Sequence, residues 1–189
     1  REVLKDALGF DSFVAGFISE VVEDAHIATA GITIEGRLSY NSDFVEKHVL
    51  CREDLFCLVF HELLHPMFGH FIYGNGELEN IAADAIINAV ISEVYSDASR
   101  NGGLFRKFYP DHGLPGLLRS KSDMSRSKYE RVYEKLYSQS SVQESFTTGE
   151  LIQTLKILTQ SERLSKVILI GSHPNSGSAM NDETSFPNE

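Results

Sequence analysis

Apolar and polar positions along the chain fall into a few distinct rhythms. In DSFVAGFISEVVEDA (11 to 25), Phe13, Phe17 and Val21 form one row and Val14, Ile18 and Val22 the next. That is the period of a helix packed on a core, with Asp11 or Ser12 as its cap. GITIEGRLSY (31 to 40) instead alternates Ile32 and Ile34 with Thr33 and Glu35, and Glu35-Gly36 supplies the turn of a short hairpin at a sheet edge. From Arg52 to His70 the helical period returns with apolar residues on nearly every side: Leu55, Phe56, Leu58, Val59, Phe60, Leu63 and Leu64. A helix of this kind belongs in the interior. Glu53 and Asp54 stand in its first turn, where carboxylates suit the helix dipole, and Gly69, Gly74 and Gly76 mark its end. A second helix, about 78 to 98, sets Ile81, Ala85, Asn88 and Val94 or Tyr95 at helical spacing.

Residues 99 to 124 are rich in Gly, Pro, Ser and charge and predict an irregular excursion. Ser127 with Glu130, and Thr147 with Glu150, have capping-box spacing, which predicts helices near 128 to 138 and 148 to 160. Val167 to Ile170 is a short strand candidate, and the turn-forming tail GSHPNSGSAMNDETSFPNE reads as a flexible linker. The pattern therefore predicts one domain over 1 to 160, followed by a short strand and tail over 161 to 189. Its class is α+β, mainly helical with a small edge hairpin. No internal repeat is visible.

Composition narrows the partners. A chain of 189 residues with 42% hydrophobic residues can bury a sizeable core without staples. Its net charge of -10 argues against nucleic acid or an anionic membrane as the main partner. Cys51 and Cys57 lie six apart on one predicted helix, poorly placed to bridge each other, so reduced thiols and a cytoplasmic location are expected. No apolar run approaches the ~20 residues that a membrane-spanning helix needs.

The candidate chemistry lies in FHELLHPMFGHF (60 to 71). On a helix, His61 and His65 at i and i+4 share one face with Cβ atoms about 6 Å apart, so both imidazoles can reach one ion. Glu62 lies about 100° round the helix, where it can serve instead as the general base of an H-E-x-x-H metallopeptidase. The plain alternative is a pair of hydrogen-bonded core histidines. A third ligand is needed, and several residues are candidates. His70 is nine positions after His61, one short of the extended metzincin spacing, and Glu93 and Asp97 lie far along the next helix. Asp84 is better placed, because NIAADAIINAV sets Asn80, Asp84 and Asn88 on one polar stripe in apolar surroundings. Gluzincins draw a third ligand from the helix after the motif, with a partner one turn later that holds a ligand histidine's other nitrogen. Asn88 would fill that role beside Asp84.

With both helices in view, the chain resembles a bacterial family of metallopeptidase domains. These are commonly joined to a von Willebrand factor A-like (VWA-like) domain and encoded beside MoxR-type AAA+ ATPases. The matching features are ATAGITIEGRLSYNSDFV, LVFHELLHPMFGH, NIAADAIINAVI and LPGLLRSKSDMSRSKYERVYEKLY, which together cover about residues 25 to 138. The resemblance implies a zincin-like fold, His61, His65 and Asp84 as ligands of zinc, and Glu62 as the base. Asn80 and Asn88 match family positions whose role is only inferred. Pro66 and the lack of a VWA-like domain within this sequence depart from the pattern.

The implied activity is zinc-dependent hydrolysis of peptide bonds, with VWA-domain proteins and MoxR-type ATPases as candidate partners. A non-catalytic interaction platform, and a defence-type protease silent until triggered, are the rival readings. Substrate could pair with a strand near Ile32 to Ile34 or Leu38 to Tyr40. His112, Tyr95, Tyr109 and Arg100 are candidate oxyanion donors.

Overall fold

A computed structural model of the chain describes residues 16–94, 103–137, 146–160 and 167–171. The strands β1 (Glu20–Glu23), β2 (Ala30–Ile32) and β3 (Arg37–Tyr40) form one sheet in the order β1-β3-β2. β2 and β3 form the expected hairpin, antiparallel with Ala30 opposite Tyr40 and Ile32 opposite Leu38, but of the two only β2 lies at an edge, since β3 is the central strand. β1 runs parallel to β3, pairing Val21 with Leu38.

A helix across 11–25 is not what forms. Residues 20–23 are a strand, and residues 11–15 lie outside the described residues. Val21 and Val22 are β-branched and suit a pleated surface, and β3 offers them a full edge of backbone partners. The pairing extends at both ends, where Ser19 donates its N–H to the Gly36 carbonyl at 2.9 Å and Asp24 to that of Tyr40 at 2.8 Å. Tertiary hydrogen bonding thus outweighs a helical period that had to run through Gly16.

Six helices complete the described structure. Helix α1 (Ser42–His48) is capped by Asn41, whose side chain accepts from the Phe44 N–H at 3.1 Å. Helix α2 (Arg52–Met67) carries the histidine motif, and a 3-10 turn at His70–Tyr73 leads into α3 (Glu77–Val94). Then come α4 (Leu104–Phe108), a 3-10 turn at Leu114–Leu118, α5 (Glu130–Tyr137) and α6 (Thr148–Thr159). The Thr147–Glu150 capping box forms at the start of α6. At α5 the expected box does not close: Glu130 accepts from the Arg126 N–H instead, and the helix begins at Glu130. No helix among the described residues is long and apolar enough to cross a membrane.

Helix α2 is apolar all round because it is enclosed all round. Val59 and Leu63 pack with Ile18, Ile32 and Leu38 of the sheet side, while Leu58 and Leu64 join Ile81, Ala85, Ile87 and Ile91 of α3 in the main core. The excursion at 103–124 is no irregular loop. It buries Leu104, Phe105, Tyr109, Leu114, Leu117 and Leu118 against that core, apolar residues clustered in LF and LPGLL that its Gly, Pro and charge content masks. It is fastened by Lys107, whose ammonium lies 3.1 and 3.0 Å from the two oxygens of buried Asp54 at the start of α2.

Candidate metal centre

Helix α2 brings His61 and His65 to one face, and α3 brings Asp84 and Asn88, also at i and i+4, against it. His61, Glu62, His65, Asp84 and Asn88 are all 0% exposed. The Nε2 atoms of His61 and His65 are 3.2 Å apart. Asp84 Oδ1 lies 3.7 Å from the first and 3.4 Å from the second. One ligand atom from each residue falls within 4.8 Å of the others, so this buried cluster could hold a metal ion.

The surrounding hydrogen bonds orient the cluster. Asn88 Nδ2 donates to the Leu118 carbonyl at 2.8 Å, which turns Asn88 Oδ1 towards His61 Nδ1, also at 2.8 Å. An amide oxygen only accepts, so His61 carries its proton on Nδ1 and directs the Nε2 lone pair into the cluster. On the other histidine, His65 Nδ1 lies 3.3 Å from His70 Nδ1, and His70 Nε2 lies 3.3 Å from Thr148 Oγ1. His70 therefore meets His65 on the nitrogen opposite the one that faces Asp84.

The end of α2 explains where His70 falls. Pro66 sits in the last turn without breaking it, since the Phe68 N–H still reaches the Leu64 carbonyl at 2.9 Å. Gly69 then takes a left-handed conformation, φ 66°, and stops the helix before His70.

The carboxylates have no such support. All four side-chain oxygens of Glu62 and Asp84 are buried without a well-formed hydrogen bond. Burial pushes Glu62 up to about 8, with the nearby Ile32 amide exerting a smaller opposite pull. Asp84 is held well above the usual carboxylate range, first by burial and then by repulsion from Glu62. Two orphaned carboxyl groups beside the inward lone pair of His61 form an environment that a divalent cation would neutralise.

Among the other sequence candidates, Asn80 is half-buried, and no described hydrogen bond ties its side chain to the cluster. Glu93 is exposed, whereas Asp97, Tyr95 and Arg100 lie outside the described residues. His112 is exposed and paired with Asp111. Tyr109 is buried, and its phenol is held well above its usual range by burial and then by Asp84, with Glu62 a smaller contributor. A protonated phenol thus lies within electrostatic reach of both carboxylates.

Sequence reasoning missed the supporting shell. The Leu118 carbonyl is a backbone atom, and Thr148 stands inside the Thr147–Glu150 box without taking part in it, so neither carries a chemical signal of its own. Thr29 stands at the start of the hairpin segment, and a lone threonine beside a strand gives no chemical signal. The strand expected at Val167 to Ile170 does not form: the segment 167–171 joins no sheet, bends at Ile170 and Gly171 and lies against the cluster, its backbone bonded to side chains rather than to a neighbouring strand. An added Cβ on Gly171 would stand 2.9 Å from His61 Nε2 and 3.0 Å from Glu62 Oε1.

Scans against protein-family models and searches of curated proteins and of solved structures find no match to this chain.

Proposed function

We propose that this chain is a zincin-like, zinc-dependent metallopeptidase domain, with His61, His65 and Asp84 as ligands and Glu62 as general base. The observation that carries the reading is the pair of buried, unpartnered carboxyl groups beside two inward-facing imidazoles. A fold gains nothing from such a cluster unless a cation completes it. Two histidines and one carboxylate suit zinc and leave a coordination position open. Zinc held there would lower the pKa of a water towards ~7 and polarise a peptide carbonyl.

The chain's own groups would do the rest. Glu62 takes a proton from the attacking water and returns it to the departing amine, and a carboxyl pushed up to about 8 is suited to both halves of that transfer. Asn88, fixed by the Leu118 carbonyl, keeps the His61 lone pair aimed inward. His70 and Thr148 steady His65. Tyr109 is the candidate donor to the developing oxyanion. Substrate would lie beside β2, because β3 has strands on both sides and Leu38 to Tyr40 are already paired.

Unpaired Cys51 and Cys57 suit a reducing compartment such as the cytoplasm. By the resemblance, a VWA-domain protein and a MoxR-type AAA+ ATPase are the partners to include in an assay. The test is Glu62→Gln against wild type on a peptide library, with and without those partners. The variant should lose at least ~10²-fold in rate while keeping its metal content. Full activity in Glu62→Gln would contradict the mechanism.

A further inference from the structure

The cluster is enclosed, and part of what encloses it is the segment 167–171. It bends at Ile170 and Gly171, and its isoleucines divide: Ile168 is 59% exposed, whereas Ile170 is 0% exposed and packs in the main core. Yet its backbone is not held by a sheet ladder. Thr29 Oγ1 donates to the Leu169 carbonyl at 2.9 Å and accepts from the Gly171 N–H at 3.1 Å. The Ile170 N–H donates to the Tyr109 hydroxyl at 2.7 Å.

Three consecutive residues thus have main-chain groups satisfied by side chains of the protein body. Their last residue, a glycine at φ 103°, lies against His61 Nε2 and Glu62 Oε1, with no room for a Cβ. Main-chain capture of a segment, together with a pocket for one of its side chains, is how peptide-binding grooves work. The backbone in this one passes over the groups assigned above to catalysis.

We infer that Thr29, Tyr109 and the Ile170 pocket form a peptide-binding groove, and that residues 167–171 occupy it in cis. Its external ligand is an apolar peptide that places an aliphatic side chain in the pocket and a small residue over His61 and Glu62. This rests on the peptidase reading for its purpose but not for its test. A chain whose groove is filled by its own segment binds an outside peptide weakly, because apparent affinity falls with the fraction of open molecules.

The experiment uses full-length, chelator-treated protein and a fluorescent, amidated peptide with the sequence of residues 167–171, VILIG. Gly171→Val drives a side chain into His61 and Glu62 and should expel the segment. Ile170→Ser empties the pocket from further away and covers the case in which the first variant does not fold. In the folded variant, backbone amides at 170 and 171 should exchange with solvent faster than in wild type, and fluorescence anisotropy should show the peptide binding at least about tenfold tighter. A control peptide with Asp in place of the second Ile should not bind.

If the amides are released and the VILIG peptide still binds no better, or if neither variant releases them, the inference is overturned. Metal binding is measured separately. Loss of the metal reading with peptide binding intact, or the converse, shows which of the two proposals has failed.

Discussion

Replacing Asp84 with Asn separates what the cluster costs the fold from what it does. Asp84 is fully buried, its oxygens have no hydrogen-bond partner, and its carboxyl is raised well above 3.8 by burial and by Glu62. Keeping it protonated at pH 7 costs the metal-free fold about 1.4 kcal/mol for each unit by which burial and Glu62 raise it. Asparagine has the same shape and carries no such cost. Its amide can also donate towards the ring nitrogens that lie 3.7 and 3.4 Å from Asp84 Oδ1.

Metal-free Asp84→Asn should therefore be more stable than wild type at pH 7, by the about 1–3 kcal/mol that an unpaired buried polar group costs, or roughly 2–12 °C in Tm for a chain of this size. The gain should vanish near pH 4, where the unfolded wild type is protonated too. Zinc reverses the order: at a free concentration 1,000 times its Kd it stabilises wild type by about 4 kcal/mol, and the variant by far less. Scanning calorimetry at pH 4 and 7, with chelator and with zinc, reads all four values. A variant less stable than wild type without metal, or one that zinc stabilises equally, would refute the reasoning.

The same carboxyl groups set the pH dependence of the metal-free protein. Between about pH 4.5 and 8 the folded state holds a proton on Glu62 that the unfolded state has lost. Stability should therefore fall with rising pH across that window, by about 1.4 kcal/mol per unit for each such group. Saturating zinc should flatten or reverse the slope, because its ligands must be deprotonated; thermal melts across that range decide it. Asn88→Ala removes the acceptor that orients His61 and leaves the Leu118 carbonyl unpaired. Zinc affinity, by competition with a chromophoric chelator, should drop about 10–100-fold, and unchanged affinity would show that Asn88 only packs.

The parts of this protein legible in its sequence are those in which local pattern and tertiary role coincide. Helix α2 could be read because apolar residues on every side have one solution, an enclosed helix. The stripe Asp84 and Asn88 could be read because polar groups inside an apolar helix need partners. The Thr147–Glu150 box is local chemistry and forms as its spacing demands. Val21 and Val22 misled because a helical period and a β-branched pair compete, and the strand that decides between them pairs seventeen residues later, at Leu38 and Ser39.

The excursion at 103–124 misled because its glycines and charges hid two short apolar turns that fill the core. The shell around the cluster, Leu118, Thr148, Thr29 and Gly171, joins residues 30 to 142 positions apart through backbone atoms and hydroxyls. Such contacts leave no periodic trace. Gly171 in particular is one glycine among 14, and only its position against His61 distinguishes it.

The central claim is that His61, His65 and Asp84 share one metal ion. Anomalous diffraction at the zinc edge, from crystals of zinc-loaded protein, tests it most directly. A single strong peak about 2.0–2.2 Å from His61 Nε2, His65 Nε2 and an Asp84 oxygen is the predicted result. A peak bound through His70 instead of Asp84, or zinc found only on the protein surface, would contradict it.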